Sequence, residues 1–330
     1  MTTEHDETLA VGVIGVGAMG EHHARVYDEL RGCQLVGVAD DDESRAKEIA
    51  MEYGTDWLDT DELIEKADAV TIAVPTQYHY DLARKCIDTG TNILIEKPIV
   101  EDKERGEELL ERAADADVTL QVGHIERFNP VTQTLQEIVP DLNVVSVNAR
   151  RLGPQPDRKI SDTAVTDLMI HDIDLICTIL NQDVSTVTAM GNTGGRFATA
   201  TLKLEDGVIG KLTASRMTQR KVRELTITAE NCYVVVDYID QDIQIHRNSA
   251  PEYVVDEGDM RYRHESIIEN PAVDSGEPLK YELQSFVTAI RDGTEPEVTG
   301  EDGMQALELA KEINQKAFGS KHKVVEVLHD

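Results

Sequence analysis

The chain has 330 residues, 40% of them hydrophobic, with 63 Asp and Glu against 32 Lys and Arg, for a net charge of −31 and a pI of about 4.6. That length supports two domains with large cores. The charge excludes nucleic-acid binding, which needs a basic face, and no apolar run is long enough to span a membrane.

The acid is spread along the chain, as in Asp40-Asp41-Asp42-Glu43, Glu107-Glu108 and Asp256-Glu257. Such a distribution predicts a halophilic protein, adapted to molar salt, where the Debye length falls to ~3 Å and self-repulsion is screened. Residues 1–8 are polar and acidic, so no secretory signal is expected. Cys33, Cys86, Cys177 and Cys232 stand singly, without a C-x-x-C pair, so neither a zinc site nor a disulfide framework is expected. Both readings fit a reducing cytoplasm.

Leu9 to Ile14 reads as a strand, Gly15-Val16-Gly17-Ala18-Met19-Gly20 follows, and Glu21 to Leu30 reads as a helix. Gly15 permits the tight turn, Gly17 lets the backbone approach a pyrophosphate, and Gly20 lets helix and strand pack closely. The helix N-terminus, with Ala18 and Met19 in the turn, offers free N–H groups to phosphates. A second strand, Leu35 to Ala39, ends at Asp40, at the spacing of the carboxylate that accepts the adenosine ribose hydroxyls. Asp40 repels a 2′-phosphate, so NAD is expected over NADP, and Asp41 and Asp42 add to that repulsion. Arg45 is the nearby cation. It either favours NADP or simply lies on the helix Glu43 to Tyr53.

Ala69 to Val74 is the third strand, closed by Pro75-Thr76, and Tyr78 to Asp88 is a helix carrying His79. Asn92 to Ile95 is a short buried strand that stops at Glu96-Lys97-Pro98. Ligands of open parallel sheets bind beyond the carboxyl ends of strands, and proline holds the residue before it, Lys97, out of any helix. A helix from Asp102 to Ala114 and a strand from Val118 to Val122 complete a Rossmann-type, doubly wound parallel sheet. This predicts an α/β domain over residues 1–126.

A second domain is expected over 127–330. Its elements read as a helix from Pro130 to Val139, a strand from Val144 to Arg151, a loop to Asp162 and a helix from Thr163 to Ile176. Closely joined strand patterns follow: Val187–Met190, Ala198–Leu204, Val208–Ser215, Glu224–Ala229, Tyr233–Tyr238 and Ile243–His246. Strands joined so closely are mostly antiparallel. Helices from Leu279 to Asp292 and from Gly303 to Ala317, and a strand from Lys323 to Leu328, end the chain. The expected architecture is α+β on one large, open, mostly antiparallel sheet.

Asp167 and His171 are four apart on the predicted helix, which puts them on one face. A carboxylate there can orient the imidazole and raise its basicity; the alternative is a structural ion pair. His171, Asp172 and Asp174 do not share a face well, and His22-His23 reads as a helix surface pair, so no metal is expected. Hydride transfer from an alcohol to NAD needs a base for the hydroxyl proton and a donor for the developing alkoxide. Lys97, Asp167 and His171 supply that set without a metal.

Gly15-x-Gly17-x-x-Gly20, Pro75-Thr76 with His79, Glu96-Lys97-Pro98 and Asp167-x-x-x-His171 stand in the order seen in the glucose-fructose oxidoreductase/inositol dehydrogenase/rhizopine catabolism (Gfo/Idh/MocA) family. The chain resembles that family over nearly its whole length. The resemblance implies a Rossmann domain, an open-faced sheet domain, and homodimers or homotetramers made through those sheets. It implies cofactor contacts by Pro75, Thr76, His79, Glu96 and Lys97. It places Lys97 and His171 at the oxygen of the reacting carbon, with Asp167 assisting, and implies a sugar or cyclitol hydroxyl as substrate.

Gly123 to Pro130, His171-Asp172-Ile173-Asp174 and Lys221 to Thr228 resemble the branch that oxidises the C3 hydroxyl of UDP-N-acetylglucosamine. On that reading Arg127, Phe128, Arg151 and Arg158 become candidate substrate contacts. Arg127, Arg150, Arg151, Arg158 and Lys159 are candidates for a diphosphate, or they pair with the acidic surface. A free-sugar or myo-inositol dehydrogenase is one alternative, and a non-enzymatic NAD(H)-binding regulator is another.

Overall fold

The computed structural model describes residues 8–155, 162–248, 252–256, 259–263 and 265–319, with backbone alone for 252–256 and 259–263. Two compact units emerge. One holds the chain up to Phe128 together with Gly276–Glu308, and the other holds Asn129–Ser275 and the residues from Leu309.

In the first unit the order is β1 (Leu9–Ile14), α1 (Ala18–Glu29), β2 (Cys33–Ala39), α2 (Glu43–Glu52), α3 (Thr60–Lys66), β3 (Ala69–Ile72), α4 (His79–Thr89), β4 (Asn92–Glu96), α5 (Lys103–Asp115) and β5 (Leu120–Gly123). The strands lie in the order β2-β1-β3-β4-β5 and every pairing is parallel. Side chains alternate along each strand. In β4, Ile93 and Ile95 pack into the core that holds Leu63, Ala83, Cys86 and Leu109, while Leu94 joins the core on the other face with Ala24, Tyr27 and Ile49. Asp42, Asp59 and Asp102 cap α2, α3 and α5 with their carboxylates, which satisfies N–H groups that have no partner inside the helix.

The second unit opens on α6 (Pro130–Ile138), capped by the Asn129 side chain with Pro130 in its first turn. Then come β6 (Val144–Leu152), a π-helical segment (Val165–Met169), α7 (Ile170–Leu180), β7 (Val184–Gly191), β8 (Phe197–Leu204), β9 (Ile209–Ser215), β10 (Val222–Ala229), β11 (Cys232–Asp237), β12 (Asp242–Asn248), β13 (Glu252–Asp256), β14 (Asp259–Arg263) and β15 (Ser266–Glu269). Eight strands form one sheet in the order β15-β12-β11-β10-β6-β9-β8-β7, antiparallel except for the parallel β6–β9 pair; β13 and β14 form a separate hairpin. α7 packs on β6 and β9. The last helices are α8 (Pro278–Asp292) and α9 (Gly300–Phe318).

The fold class matches the sequence reading, with two differences of organisation. The expected boundary at 126/127 assigns α8 to the second domain, but Leu279, Leu283, Phe286 and Val287 bury in the first unit's core with α1 and α2. The expected continuous helix from Thr163 is π-helical through Val165–Met169 before it becomes α at Ile170. Hydrogen bonds there span five residues rather than four, so a spacing of four no longer guarantees a shared face for Asp167 and His171. The sequence reading also passes over β13, β14, β15 and α3. The expected strand from Lys323 to Leu328 lies outside the described residues.

Candidate active site

The first unit collects its polar groups at the carboxyl edge of the parallel sheet. Gly15 has φ +88°, and a Cβ there would meet Val74 Cγ1 at 2.6 Å. A Cβ on Gly20 would lie 1.7 Å from the Gly15 carbonyl oxygen. Gly17 and Ala18 are exposed, Met19 is half-buried, and no side chain caps α1. The first N–H groups of the helix are therefore open to a ligand, as a pyrophosphate requires.

Asp40 braces this turn. Its Oδ2 accepts from the Val16 N–H at 2.7 Å and its Oδ1 from the Asp42 N–H at 2.8 Å. Arg45 donates through Nε to the Val16 carbonyl at 3.2 Å and pairs with Glu48 at 2.7 Å and with Glu21. Two carboxylates thus face Arg45. Asp42 itself caps α2.

Beyond β3, Pro75 is exposed and Thr76 begins a short 3-10 turn leading into α4. His79 is buried: Nε2 lies 2.8 Å from the Val74 carbonyl and Nδ1 3.0 Å from the Pro98 carbonyl. Burial depresses its pKa, opposed by those two carbonyls, so the ring is neutral and donates to one of them. With both nitrogens turned to backbone, His79 ties the end of β3 to Pro98 rather than offering a nitrogen to a ligand.

β4 ends in Glu96, whose carboxylate lies 3.0 Å from His23 Nε2 and accepts from the Lys97 backbone N–H at 3.2 Å. His23 is completely buried, which corrects its reading as a surface residue; His22 is exposed. Lys97, half-buried, follows at the strand's edge, where the sequence expects it.

In the second unit Asp167 and His171 are half-buried. Arg216, just past β9, donates to Asp167 Oδ2 at 2.6 Å, to the Asp162 carbonyl at 2.6 Å and to the Thr163 carbonyl at 3.3 Å. Asp172 takes Arg151 Nε at 3.0 Å and Nη2 at 2.8 Å in a fully buried pair.

Three of the arginine candidates have protein partners. Arg151 is committed to Asp172, Arg150 faces its cross-strand neighbour Glu224 at 3.2 Å, and Arg127, 7% exposed, pairs with Asp302 at 3.1 Å. Burial acts to raise the Asp302 pKa, but the Arg127 charge and hydrogen bonds to it outweigh burial and depress it. Phe128 is a core residue beside Val100 and Met304. Arg158 and Lys159 lie outside the described residues.

The profile of an oxidoreductase family with an NAD-binding Rossmann fold matches residues 9–124, and that of its C-terminal α/β domain matches residues 142–327. The chain belongs to the Gfo/Idh/MocA oxidoreductase family. It is 32% identical over 250 residues to a UDP-N-acetylglucosamine 3-dehydrogenase of Acidithiobacillus ferrooxidans, covering 73% of this chain and 78% of that one. A solved structure of the Acidithiobacillus ferrooxidans enzyme superposes with a TM-score of 0.83 at 29% identity, over 94% of this chain and 97% of the other. An inositol 2-dehydrogenase of Rhizobium meliloti is 29% identical over 324 residues, 92% of this chain and 95% of its own.

Within this Gfo/Idh/MocA chain, Arg216 and Glu282 escape the sequence reading, and His23 is read there only as a surface residue. Glu282 stands on the apolar stripe of α8 with Leu279, Leu283 and Phe286. His23 stands on that of α1 with Gly20, Ala24 and Tyr27. A titratable residue on a buried stripe was the available signal. Arg216 gave none, since nothing in its neighbourhood in sequence announces Asp167.

Proposed function

We propose that the protein oxidises a secondary sugar hydroxyl with NAD, most specifically C3 of UDP-N-acetylglucosamine or a related UDP-amino sugar. Bound NAD supplies the hydride acceptor. His171 takes the hydroxyl proton, Asp167 orients the ring, and Lys97 donates to the oxygen as negative charge develops on it. Gly15, Gly17, Ala18 and Met19 hold the pyrophosphate, and Asp40 the adenosine ribose. Pro75, Thr76, Glu96 and Lys97 border the nicotinamide, and His79 secures that border from behind.

The observation that carries this reading is the position of Lys97. It follows the carboxyl end of β4 in a domain of NAD-binding type, in the same parallel sheet whose first strand leads into the braced glycine turn. The UDP-sugar assignment is favoured by the 32% identity to the Acidithiobacillus ferrooxidans enzyme. A myo-inositol dehydrogenase is the second reading, favoured by the Rhizobium meliloti relative's coverage of 92% of this chain. The test is NADH formation in molar KCl with UDP-N-acetylglucosamine, free N-acetylglucosamine and myo-inositol as separate substrates. Turnover of the UDP-sugar alone is expected; turnover of myo-inositol alone would make the second reading correct.

The same reading includes a homo-oligomer through the second unit's sheet. Ile209, Ser146, Thr228, Tyr233, His246 and Ile268 align across successive strands by register. Ile209, Tyr233 and Ile268 are 41%, 44% and 54% exposed, so large apolar side chains interrupt the polar ones along this row. It also includes preference for NAD over NADP, a cytoplasmic location and dependence on salt. Among the described residues no helix is long and apolar enough to cross a membrane.

A further inference from the structure

Glu282 is a carboxylic side chain inside a hydrophobic core. It is 0% exposed, and neither of its oxygens has a hydrogen-bond partner. A Glu282 oxygen, a Glu96 oxygen and a His23 ring nitrogen all lie within 4.8 Å of one another. Two ionised carboxylates at that range, out of water, are strongly disfavoured, and one of them keeps a proton.

The hydrogen bonds say which. Glu96 accepts from His23 Nε2 at 3.0 Å and from the Lys97 N–H at 3.2 Å, so its anionic form is satisfied. Glu282 has no donor to support a charge. A Cβ on Gly123, the residue paired with Glu96 across β4–β5, would come within 3.2 Å of Glu96 Cδ and 3.3 Å of Oε1. Glycine there leaves the carboxylate room.

His23 also decides between a proton and a metal ion as the balancing charge. Its Nδ1 is buried without a partner. A histidine that ligates a metal through one nitrogen donates its other N–H to an acceptor, and His23 has none. An N–H at Nε2 is placed to donate to Glu96, 3.0 Å away.

We propose that His23, Glu96 and Glu282 are positioning residues for Lys97: the two glutamates share one proton, held on Glu282, so that a single negative charge stays fixed on Glu96 beside the Lys97 backbone. Lys97 is then pinned on both sides, by Glu96 before it and by Pro98, which His79 holds, after it. Among the described residues, the polar and titratable groups near the pair fit this charge state. From α1 come His23 and Tyr27, whose hydroxyl is occupied by Thr71 of β3 at 2.9 Å. Gln121 of β5 donates to the Glu282 backbone carbonyl at 3.3 Å, and His79 of α4, neutral, lies near Glu96. Burial first, and then the Glu96 charge, hold the Glu282 carboxyl well above the usual range. At Glu96 burial pushes the same way but is outweighed by His23 and Lys97, so its pKa is depressed.

The role of Lys97 rests on the proposed function; the shared proton does not, and the experiment separates them. Unfolding of the wild type and of Glu282→Gln is measured by denaturant across acid to alkaline pH. A carboxyl whose folded pKa is raised contributes stability in full below its unfolded value of 4.5 and loses it as pH rises. The unfolding constant of the wild type relative to Glu282→Gln is therefore expected to grow, approaching tenfold per pH unit above about 4.5. A ratio that stays level or falls would overturn the shared proton, as would stoichiometric metal in the purified protein whose chelation destabilises it.

The positioning role is read from His23→Leu, which strips Glu96 of its ring donor. Its kcat is expected to fall and to gain an acid limb, with KM for NAD little changed, and His23→Gln, which restores an N–H donor, is expected to remove much of that limb. A pH profile unchanged in His23→Leu would overturn the positioning role. Full turnover in Lys97→Ala would overturn it together with the proposed function, while the pH-dependent stability gap would still report the proton on Glu282.

Discussion

Arg216 Nη2 donates to Asp167 Oδ2 at 2.6 Å, so the carboxylate expected to orient His171 is itself oriented by a residue from the end of a strand. The same guanidinium holds the carbonyls of Asp162 and Thr163, and so anchors the segment that enters the π-helical turn. Arg216 is 6% exposed and the Asp167 side chain 19%, so little water screens the pair.

Removing one partner of a buried ion pair costs ~3 kcal/mol or more, because the other charge is left uncompensated. Arg216→Met is therefore expected to lower stability by about that amount and to lower kcat. Arg216→Lys, which cannot reproduce the planar fork, is expected to recover stability better than kcat. Denaturant melts and steady-state rates of both variants check this, and an Arg216→Met protein with unaltered kcat would remove the pair from the site.

Asp40 serves two ends at once, as the expected ribose acceptor and as the brace of the glycine turn through Val16. Asp40→Ser is expected to relax the preference for NAD over NADP and also to weaken NAD binding, since the brace shortens. Fluorescence titration with both dinucleotides measures this. A wild type that binds both equally would refute the ribose role.

His79 predicts a pH dependence of stability. Burial, opposed by the Val74 and Pro98 carbonyls, places its folded pKa below the ordinary 6.5. Its contribution is full above 6.5 and is lost as pH falls towards the folded value. The wild type is expected to lose Tm over that range, and His79→Gln is expected to lack this part of the loss. Equal slopes in both proteins would contradict a buried neutral ring.

A net charge of −31 on 330 residues predicts stabilisation by salt. Tm is expected to climb between about 0.1 M and about 3 M KCl, with most of the rise where screening becomes short-ranged. A level Tm would oppose the halophilic reading.

Much of the first unit was legible because β4, β1 and the glycine turn are local patterns. Apolar Ile93, Leu94 and Ile95 stop at a charged pair, and the strand stops there too. Asp102 and Asn129 start helices where capping chemistry says they should. The docking of α8 was not legible. Its apolar stripe is a generic one, and no local signal says which sheet it covers.

The candidate site was legible at the level of motifs and less so at the level of partners. Lys97 follows β4 as expected, but the neighbours of Glu96 come from positions 23 and 282, far along the chain. The arginines were hardest. In a chain this acidic a carboxylate is always near, and Arg127, Arg150 and Arg151 each face one. Composition alone cannot tell a phosphate-binding arginine from one that holds the fold.

Lys97 and His171 are proposed to act on one hydroxyl. The direct measurement is single-turnover NADH formation by the wild type, Lys97→Ala, His171→Ala and the double variant, with NAD binding followed in parallel. Each single variant is expected to lose ~10²–10³-fold in rate while still binding NAD, and the double variant to lose less than the product of the two, since both groups serve one oxygen. Near-normal turnover in either single variant with NAD binding intact would contradict the account.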